Sequence, residues 1–328
     1  MERPWEQVHG SGTLDDLLED AREAGYEISR RTIHDWISRG LLDNPQRRGA
    51  GRGSRPGLHS ANQRKLFLLL LSKRVEMPKI PSLALVPFGI WLWWGEEWVP
   101  TRQALKAFRT WFGDGLRRKQ VCLEAARATL EQIDHPAATD TARNRFVRLF
   151  ADVSYQGGTT PELRNELEDA ARAVFEPPSV FATSGLARAV GPASMPWTLE
   201  MLLYRIDSIT TAMQAVRDNK VGEELLVRSR ALYLQTKHEY EDLRPGLAAQ
   251  AVGPFVGLYR QQNLDDHFNN IGSEMLGAIA MLLVSPIAQA QFPPSGWGAS
   301  GHGRMPASDC PPSAGSRLSY RSQATQTR

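Results

Sequence analysis

Cysteine is scarce in this sequence: Cys122 and Cys310 are the two cysteines in 328 residues. Neither belongs to a Cys-x-x-Cys pair or to a cluster of cysteine and histidine, the spacings that zinc sites and small disulfide-bonded proteins use. We therefore expect no disulfide framework, no zinc site and no thiolate metal sensor.

Motifs of catalysis are also missing. The sequence has no Gly-rich phosphate loop, no nucleophile elbow and no helix carrying histidine and glutamate at metal-ligand spacing. The densest candidate group is Asp265-Asp266-His267, but adjacent residues of a helix point to different faces. The sequence therefore favours a protein that is not an enzyme and needs no cofactor, with an enzyme as the weakest alternative.

Long apolar runs are absent as well. The longest, residues 83–94, contains Pro87 and Gly89 and is shorter than the roughly 20 residues that span a bilayer. The first residues, MERPWEQVHGSG, lack the apolar core of a signal peptide. We expect a cytoplasmic protein without a membrane anchor, in which this Trp-rich segment, broken by its prolines, packs the basic region onto a helical body.

Basic charge, by contrast, is concentrated in one stretch. Residues 28–74 contain eleven Lys or Arg and two acids, a balance of +9 in a chain whose total is +3. Residues 1–27 hold two basic and eight acidic side chains, and the remainder balances at 26 of each sign. Such a local excess is typical of a surface that contacts a polyanion.

Local signals divide this basic stretch into elements. Ser29 is a good N-cap and Gly40 a good stop, which predicts a helix over residues 29–39. A short amphipathic helix precedes it, starting at a capping box at Thr13, and another helix follows Ser60. Between them, residues 45–57 read PQRRGAGRGSRPG, a flexible basic segment that is too poor in apolar residues to pack.

The segment TIHDWISRGLL, Thr32 to Leu42, resembles the pattern T-I-R-x-[YW]-x-x-x-G-L-L of the MerR-type winged helix-turn-helix proteins. His34 and Asp35 stand where that family has arginine and an aromatic residue. A looser similarity follows at residues 58–60, where the family has an aromatic-Ser pair that opens a further helix. The resemblance covers about residues 13–74, and it implies a DNA-binding domain whose second helix enters the major groove and whose wing contacts the phosphate backbone.

The predicted fold is mainly α, with an N-terminal winged helix-turn-helix followed by an all-helical C-terminal body. We expect four residues of the second helix to face the major groove and basic residues after it to hold phosphates. The groove residues are Arg30, Arg31, Thr32 and His34. The phosphate-binding residues are Arg47, Arg48, Arg52 and Arg55 on the wing, and Arg64 and Lys65 on the next helix.

Beyond residue 74 the sequence predicts helices of unknown role. The expected divisions are a DNA-binding domain (1–75), a Pro/Trp-rich connector and helix (76–115), a helical domain (116–290) and a disordered tail (291–328). Within the helical domain an apolar seam recurs every three or four residues and requires a partner helix, from the same chain or from a second subunit. The seam residues are Leu202, Ile206, Ile209, Met213 and Val216.

Together these patterns favour a sequence-specific DNA-binding protein, a transcriptional regulator, with double-stranded DNA as its partner. A homodimer would suit recognition of two half-sites. Two alternatives stay open: a recombination or plasmid accessory protein, which uses the same groove chemistry, and a helical scaffold protein whose basic face binds an acidic protein. No motif indicates an effector ligand.

Overall fold

A computed structural model describes residues 4–47, 56–115, 119–178 and 188–294. These residues form a mainly helical protein, as the sequence predicts, and they contain isolated antiparallel bridges but no β-strand. The helices are α1 (Leu14–Glu23), α2 (Arg30–Ser38), α3 (Ala61–Glu76), α4 (Ile80–Trp94), α5 (Thr101–Gly115), α6 (Lys119–Ile133), α7 (Asp140–Gln156), α8 (Pro161–Phe175), α9 (Leu199–Arg217), α10 (Glu223–Gln250), α11 (Phe255–Leu258), α12 (Leu264–Val284) and α13 (Pro286–Gln291).

The first three helices begin where their capping residues predict. The Thr13 side chain accepts a hydrogen bond from the backbone N–H of Asp16, whose carboxylate accepts one from the backbone of Thr13. Ser29 and Ser60 cap α2 and α3 with a single bond each: their side chains accept from the backbone N–H groups of Thr32 and Gln63. A side-chain cap of this kind stabilises a helix by about 0.5–2 kcal/mol, because it satisfies a backbone N–H that lacks a partner within the helix.

Helix α4 corrects one expectation, because the sequence interpretation placed a break at Pro87. The proline lies inside the helix, and its neighbours Leu83, Phe88 and Trp91 are buried. A proline within a helix removes one backbone hydrogen bond and crowds the preceding turn. Here the burial of apolar side chains on both sides of the proline offsets that cost, and the helix continues.

The largest hydrophobic cluster contains residues of α1 to α5 together with residues of α9, α10 and α12. This cluster therefore includes residues on both sides of the predicted domain boundary at residue 75. The predicted domain boundaries remain predictions. A second cluster lies between α7, α8 and the first half of α9. The predicted tail lies beyond the described residues from position 295 onward.

The apolar seam of α9 finds its partners in the same chain. Leu202 and Ile206 belong to the cluster with α8, whereas Met213 and Val216 belong to the larger cluster with α12. Helices α8 and α12 both pack against α9. A second subunit is therefore not needed to cover this seam. Among all the described helices, none has the length and apolar character that crossing a bilayer requires.

Candidate nucleic-acid interface

Helix α2 has one buried and one exposed face. Ile33 and Trp36 are fully buried, and the Trp36 ring meets the ring of Phe67 edge-on at a centroid distance of 6.0 Å. Arg31 and His34 are exposed, and at three residues' separation they lie on the same side of the helix. Neither side chain has a hydrogen bond or an ion pair with another described residue, so both are available to an external partner.

The remaining polar residues of α2 are engaged within the protein. Arg30 forms an ion pair with Asp15 of α1, with both side chains more than half exposed. Arg39, which follows the helix, pairs with Asp35 at 3.0 Å. Thr32 is half-buried, and its hydroxyl lies 2.9 Å from that of Ser29 at the start of the helix. Of the four predicted groove residues, Arg31 and His34 therefore have the free side chains.

Two antiparallel bridges lie at the base of the basic segment 45–57, which is the predicted wing. Gln46 and Leu58 exchange both backbone hydrogen bonds, at 2.8 and 3.0 Å, and the neighbouring His59 does the same with Gly12, at 2.7 and 2.9 Å. Three short extended pieces of chain therefore lie side by side, next to the N-terminus of α1. Arg47 is exposed at this base, while the other predicted wing residues, Arg48, Arg52 and Arg55, lie outside the described residues.

Arg64 and Lys65, the two predicted phosphate contacts on α3, have different surroundings. Arg64 donates to both carboxylate oxygens of Asp20, at 2.8 and 2.7 Å, and to the carbonyl of Gly10 at 3.0 Å. Its side chain is 18% exposed, and the hydrogen bonds to Asp20 raise the pKa of its guanidinium. This geometry favours a structural role for Arg64, tying α3 to α1. Lys65 is half-buried and has no ionic partner among the described residues.

Helix α5 holds the chain just after α2 through buried amide groups. The Gln63 side chain of α3 accepts from the backbone N–H of Asp43 at 2.8 Å and donates to Gln103 at 2.8 Å. Gln103 donates in turn to the carbonyl of Leu41 at 3.0 Å. We refer to Gln63 and Gln103 as the glutamine pair, and both are almost fully buried.

An ion pair strengthens the same junction. Arg102 of α5 donates to both carboxylate oxygens of Asp43, whose side chain is 9% exposed. Thr110, two turns further along α5, donates to the carbonyl of Arg39 at 2.8 Å. The sequence interpretation missed these contacts. The one signal for them was a glutamine at position 63, one turn before Leu66 on the side of α3 that is otherwise apolar.

Gly40 lies between α2 and α5. Its φ of 77° is in the left-handed region that favours glycine, and a Cβ atom there would lie 2.5 Å from the backbone nitrogen of Ala107. The Gly-Leu-Leu segment thus ends α2 and also lets α5 approach its C-terminal end, with Leu41 and Leu42 buried behind it.

His59 is an unusual buried group at the edge of this region. The residue is 1% exposed, and neither ring nitrogen has a hydrogen-bond partner among the described residues. Burial lowers the pKa of His59, although the charge of Asp43 acts in the opposite direction. A neutral ring avoids the cost of an unpaired buried charge, so His59 serves the fold rather than an external anion.

The group Asp265-Asp266-His267 does not converge on one point. Asp266 pairs with Arg260 at 3.1 Å on an exposed surface, whereas the ring of His267 faces Trp93 and lies 3.9 Å from Glu274. The described residues contain no group of three or more His, Cys, Asp or Glu that could hold a metal ion. The exposed basic face of α2 is therefore the best candidate site.

Comparisons with known proteins identify no relative of this chain. No protein-family model matches the chain, and neither a curated protein nor a solved structure shows significant similarity to it.

Proposed function

We propose that this protein binds duplex DNA in a sequence-specific manner and acts as a transcriptional regulator. The observation that carries the proposal is the exposed face of α2, where Arg31 and His34 have free side chains while the opposite face is buried. A helix held in this way can enter a major groove without losing its packing. The resemblance of residues 32–42 to the MerR-type pattern supports the same function.

In this proposal some residues recognise bases and others bind phosphates. Arg31 would donate to a guanine edge and His34 would contact an adjacent base, because both project from the N-terminal half of α2. Arg47 at the base of the wing and Lys65 on α3 would hold phosphates, together with Arg48, Arg52 and Arg55 of the wing. Arg30 would have to leave Asp15 to join them, and Arg64 would maintain the domain.

A winged helix-turn-helix is part of this proposal. The chain has two capped helices joined by a short turn, then a basic segment whose ends are joined by the Gln46–Leu58 bridge, and then α3. This is the order of elements that such a domain requires. In that arrangement the wing lies beside the second helix and reaches the backbone that flanks the groove.

Selection of bound sequences from a random duplex pool tests the function directly. The purified full-length protein would be used at low and at near-physiological salt, since phosphate contacts alone lose affinity steeply as salt rises. An enriched motif at the higher salt would support specific recognition, and a palindromic motif would support a dimer. Binding without enrichment, or no binding, would contradict the proposal and favour a scaffold whose basic face meets an acidic protein.

A further inference from the structure

We propose that Lys106 of α5, which lies outside the part of the chain that resembles a winged helix-turn-helix, binds a phosphate at one end of the same DNA surface. The inference rests on the proposed function and extends the site to a second part of the chain. Helix α5 passes close to the C-terminal end of α2, at Gly40.

The contact between these helices is close. A Cβ atom on Gly40 would lie 2.5 Å from the Cβ of Lys106, so the backbone that ends α2 touches the base of the lysine side chain. Hydrogen bonds from Gln103 and Thr110 to the carbonyls of residues 41 and 39 hold the two elements on either side of that point. The position of Lys106 relative to α2 is therefore fixed by buried contacts.

Lys106 belongs to a basic stripe on the outer side of α5. The stripe residues are Arg102, Lys106 and Arg109, spaced four and three apart, whereas Ala104, Ala107 and Phe108 on the other side are fully buried. Because α5 passes Gly40 at the C-terminal end of α2, this stripe places basic side chains beside that end.

Within this stripe Lys106 carries the available charge. Arg102 is paired with Asp43, and Glu96 and Glu223 also contribute negative charge around it. Arg109 donates to the carbonyl of Val221 at 3.0 Å. Lys106 is exposed, and among the described residues no carboxylate lies within 4.0 Å of its amino group. An exposed lysine without an internal partner is suited to phosphate, because its charge is carried on a flexible stem.

The spacing along α2 also suits duplex DNA. Arg31 and Gly40 are nine residues apart, about 14 Å at 1.5 Å per residue, and the major groove is about 12 Å wide. When Arg31 lies in the groove, the C-terminal end of α2 and the adjoining Lys106 reach the phosphates at its edge. In homeodomains the C-terminal end of the reading helix likewise contacts the backbone.

The test compares the salt dependence of binding for wild type and Lys106→Ala, using the full chain and a duplex from the selected pool. Loss of one phosphate contact lowers the slope of log K against log salt by about 0.9. The affinity ratio between wild type and variant should therefore shrink about 3.5-fold between 50 and 200 mM salt. Lys106→Arg should keep the wild-type slope.

Arg148→Ala is the matched control, since Arg148 is exposed on α7 and has no ionic partner among the described residues. It removes one positive charge away from α2. A smaller slope of log K against log salt in Lys106→Ala, with an unchanged slope in Arg148→Ala, supports the inference. An equal decrease of the slope in both variants would overturn it, because it would show a general effect of net charge.

A second measurement locates the contact. Single phosphates of the duplex are replaced in turn by neutral methylphosphonates, and each duplex is titrated with wild type and with Lys106→Ala. We expect one position whose neutralisation weakens wild type but leaves the variant unchanged, because the two changes remove the same contact. If wild type binds but no position behaves in this way, the inference is wrong. If wild type shows no salt-sensitive binding at all, the proposed function fails and the inference fails with it.

Discussion

Arg31 and Arg64 look equivalent in the sequence, since both lie in the basic stretch near the start of a helix. The structure separates them: Arg31 is exposed with a free side chain, whereas Arg64 is tied to Asp20 and Gly10. Asp20 is 44 residues from Arg64, so no local pattern reveals that pair. A charged residue can be assigned to a binding surface only when its distant neighbours are known.

Arg31→Ala tests base recognition at the residue scale. If Arg31 contacts a guanine edge, the variant should bind the selected duplex more weakly by about 1–3 kcal/mol and bind a scrambled duplex almost as wild type does. Arg47→Ala is the contrasting variant, because loss of a phosphate contact weakens binding to both duplexes. Dissociation constants measured by fluorescence anisotropy for the two duplexes distinguish these cases. Equal losses for Arg31→Ala on both would mean that it binds phosphate only.

The buried His59 leads us to expect that the stability of the protein depends on pH. Burial lowers the pKa of His59 in the folded protein, so the unfolded state takes up a proton first as pH falls. The stabilising contribution is complete above the unfolded pKa near 6.5 and is lost as pH falls from there through the lower folded pKa. The free energy of unfolding should therefore decrease between pH 7 and pH 5, as measured by urea denaturation.

The variant His59→Leu should have a smaller decrease over the same range, because a leucine cannot take up a proton. A residual decrease is expected from His267, whose pKa is lowered in the same direction. An unchanged pH dependence in His59→Leu would contradict this account.

At the scale of elements, the sequence predicts those helix boundaries that depend on neighbouring residues. Ser29 and Gly40 define α2 through interactions within a few residues, so the sequence alone predicts both ends of this helix. Pro87 misled the interpretation because the burial that maintains α4 comes from other helices. The hydrogen bonds of Gln103 with Gln63 and Leu41 were missed for the same reason, since these partners are 40 and 62 residues away from it in the sequence.

Gly40→Ala tests the close approach of α2 and α5. A left-handed backbone costs a non-glycine residue about 1–2 kcal/mol, and at position 40 an added Cβ would also meet the backbone of α5. Gly25→Ala is the matched control, because Gly25 has a φ of 80° but nothing within 4 Å of an added Cβ. We expect Gly25→Ala to lose about 1–2 kcal/mol and Gly40→Ala to lose clearly more in urea denaturation. Equal losses would mean that α5 can move away at little cost.

At the scale of the whole molecule, the candidate DNA-binding region shares its core with the rest of the chain. Trp36 and Phe67 belong to the same hydrophobic cluster as Phe88 of α4 and Phe108 of α5. The sequence could not show this, because the basic stretch matches a pattern that is associated with small separate domains. The resemblance predicts a unit ending near residue 75, whereas the packing indicates that this unit depends on α4 and α5.

A truncated chain of residues 1–75 tests that dependence. Truncation removes Arg102 and Gln103, which leaves the poorly exposed carboxylate of Asp43 and the carbonyl of Leu41 without their partners. It also removes the apolar side chains of α4 and α5 that share a hydrophobic cluster with α3. Unpaired buried polar groups and lost burial are each costly against a total stability of only about 5–15 kcal/mol. We therefore expect residues 1–75 to show no cooperative thermal transition by circular dichroism, and residues 1–294, which keep these contacts and those with α9, α10 and α12, to show one. A cooperative transition in the shorter fragment would establish an independent domain and would mean that the contacts with α5 position the proposed DNA-binding surface without being required for its fold.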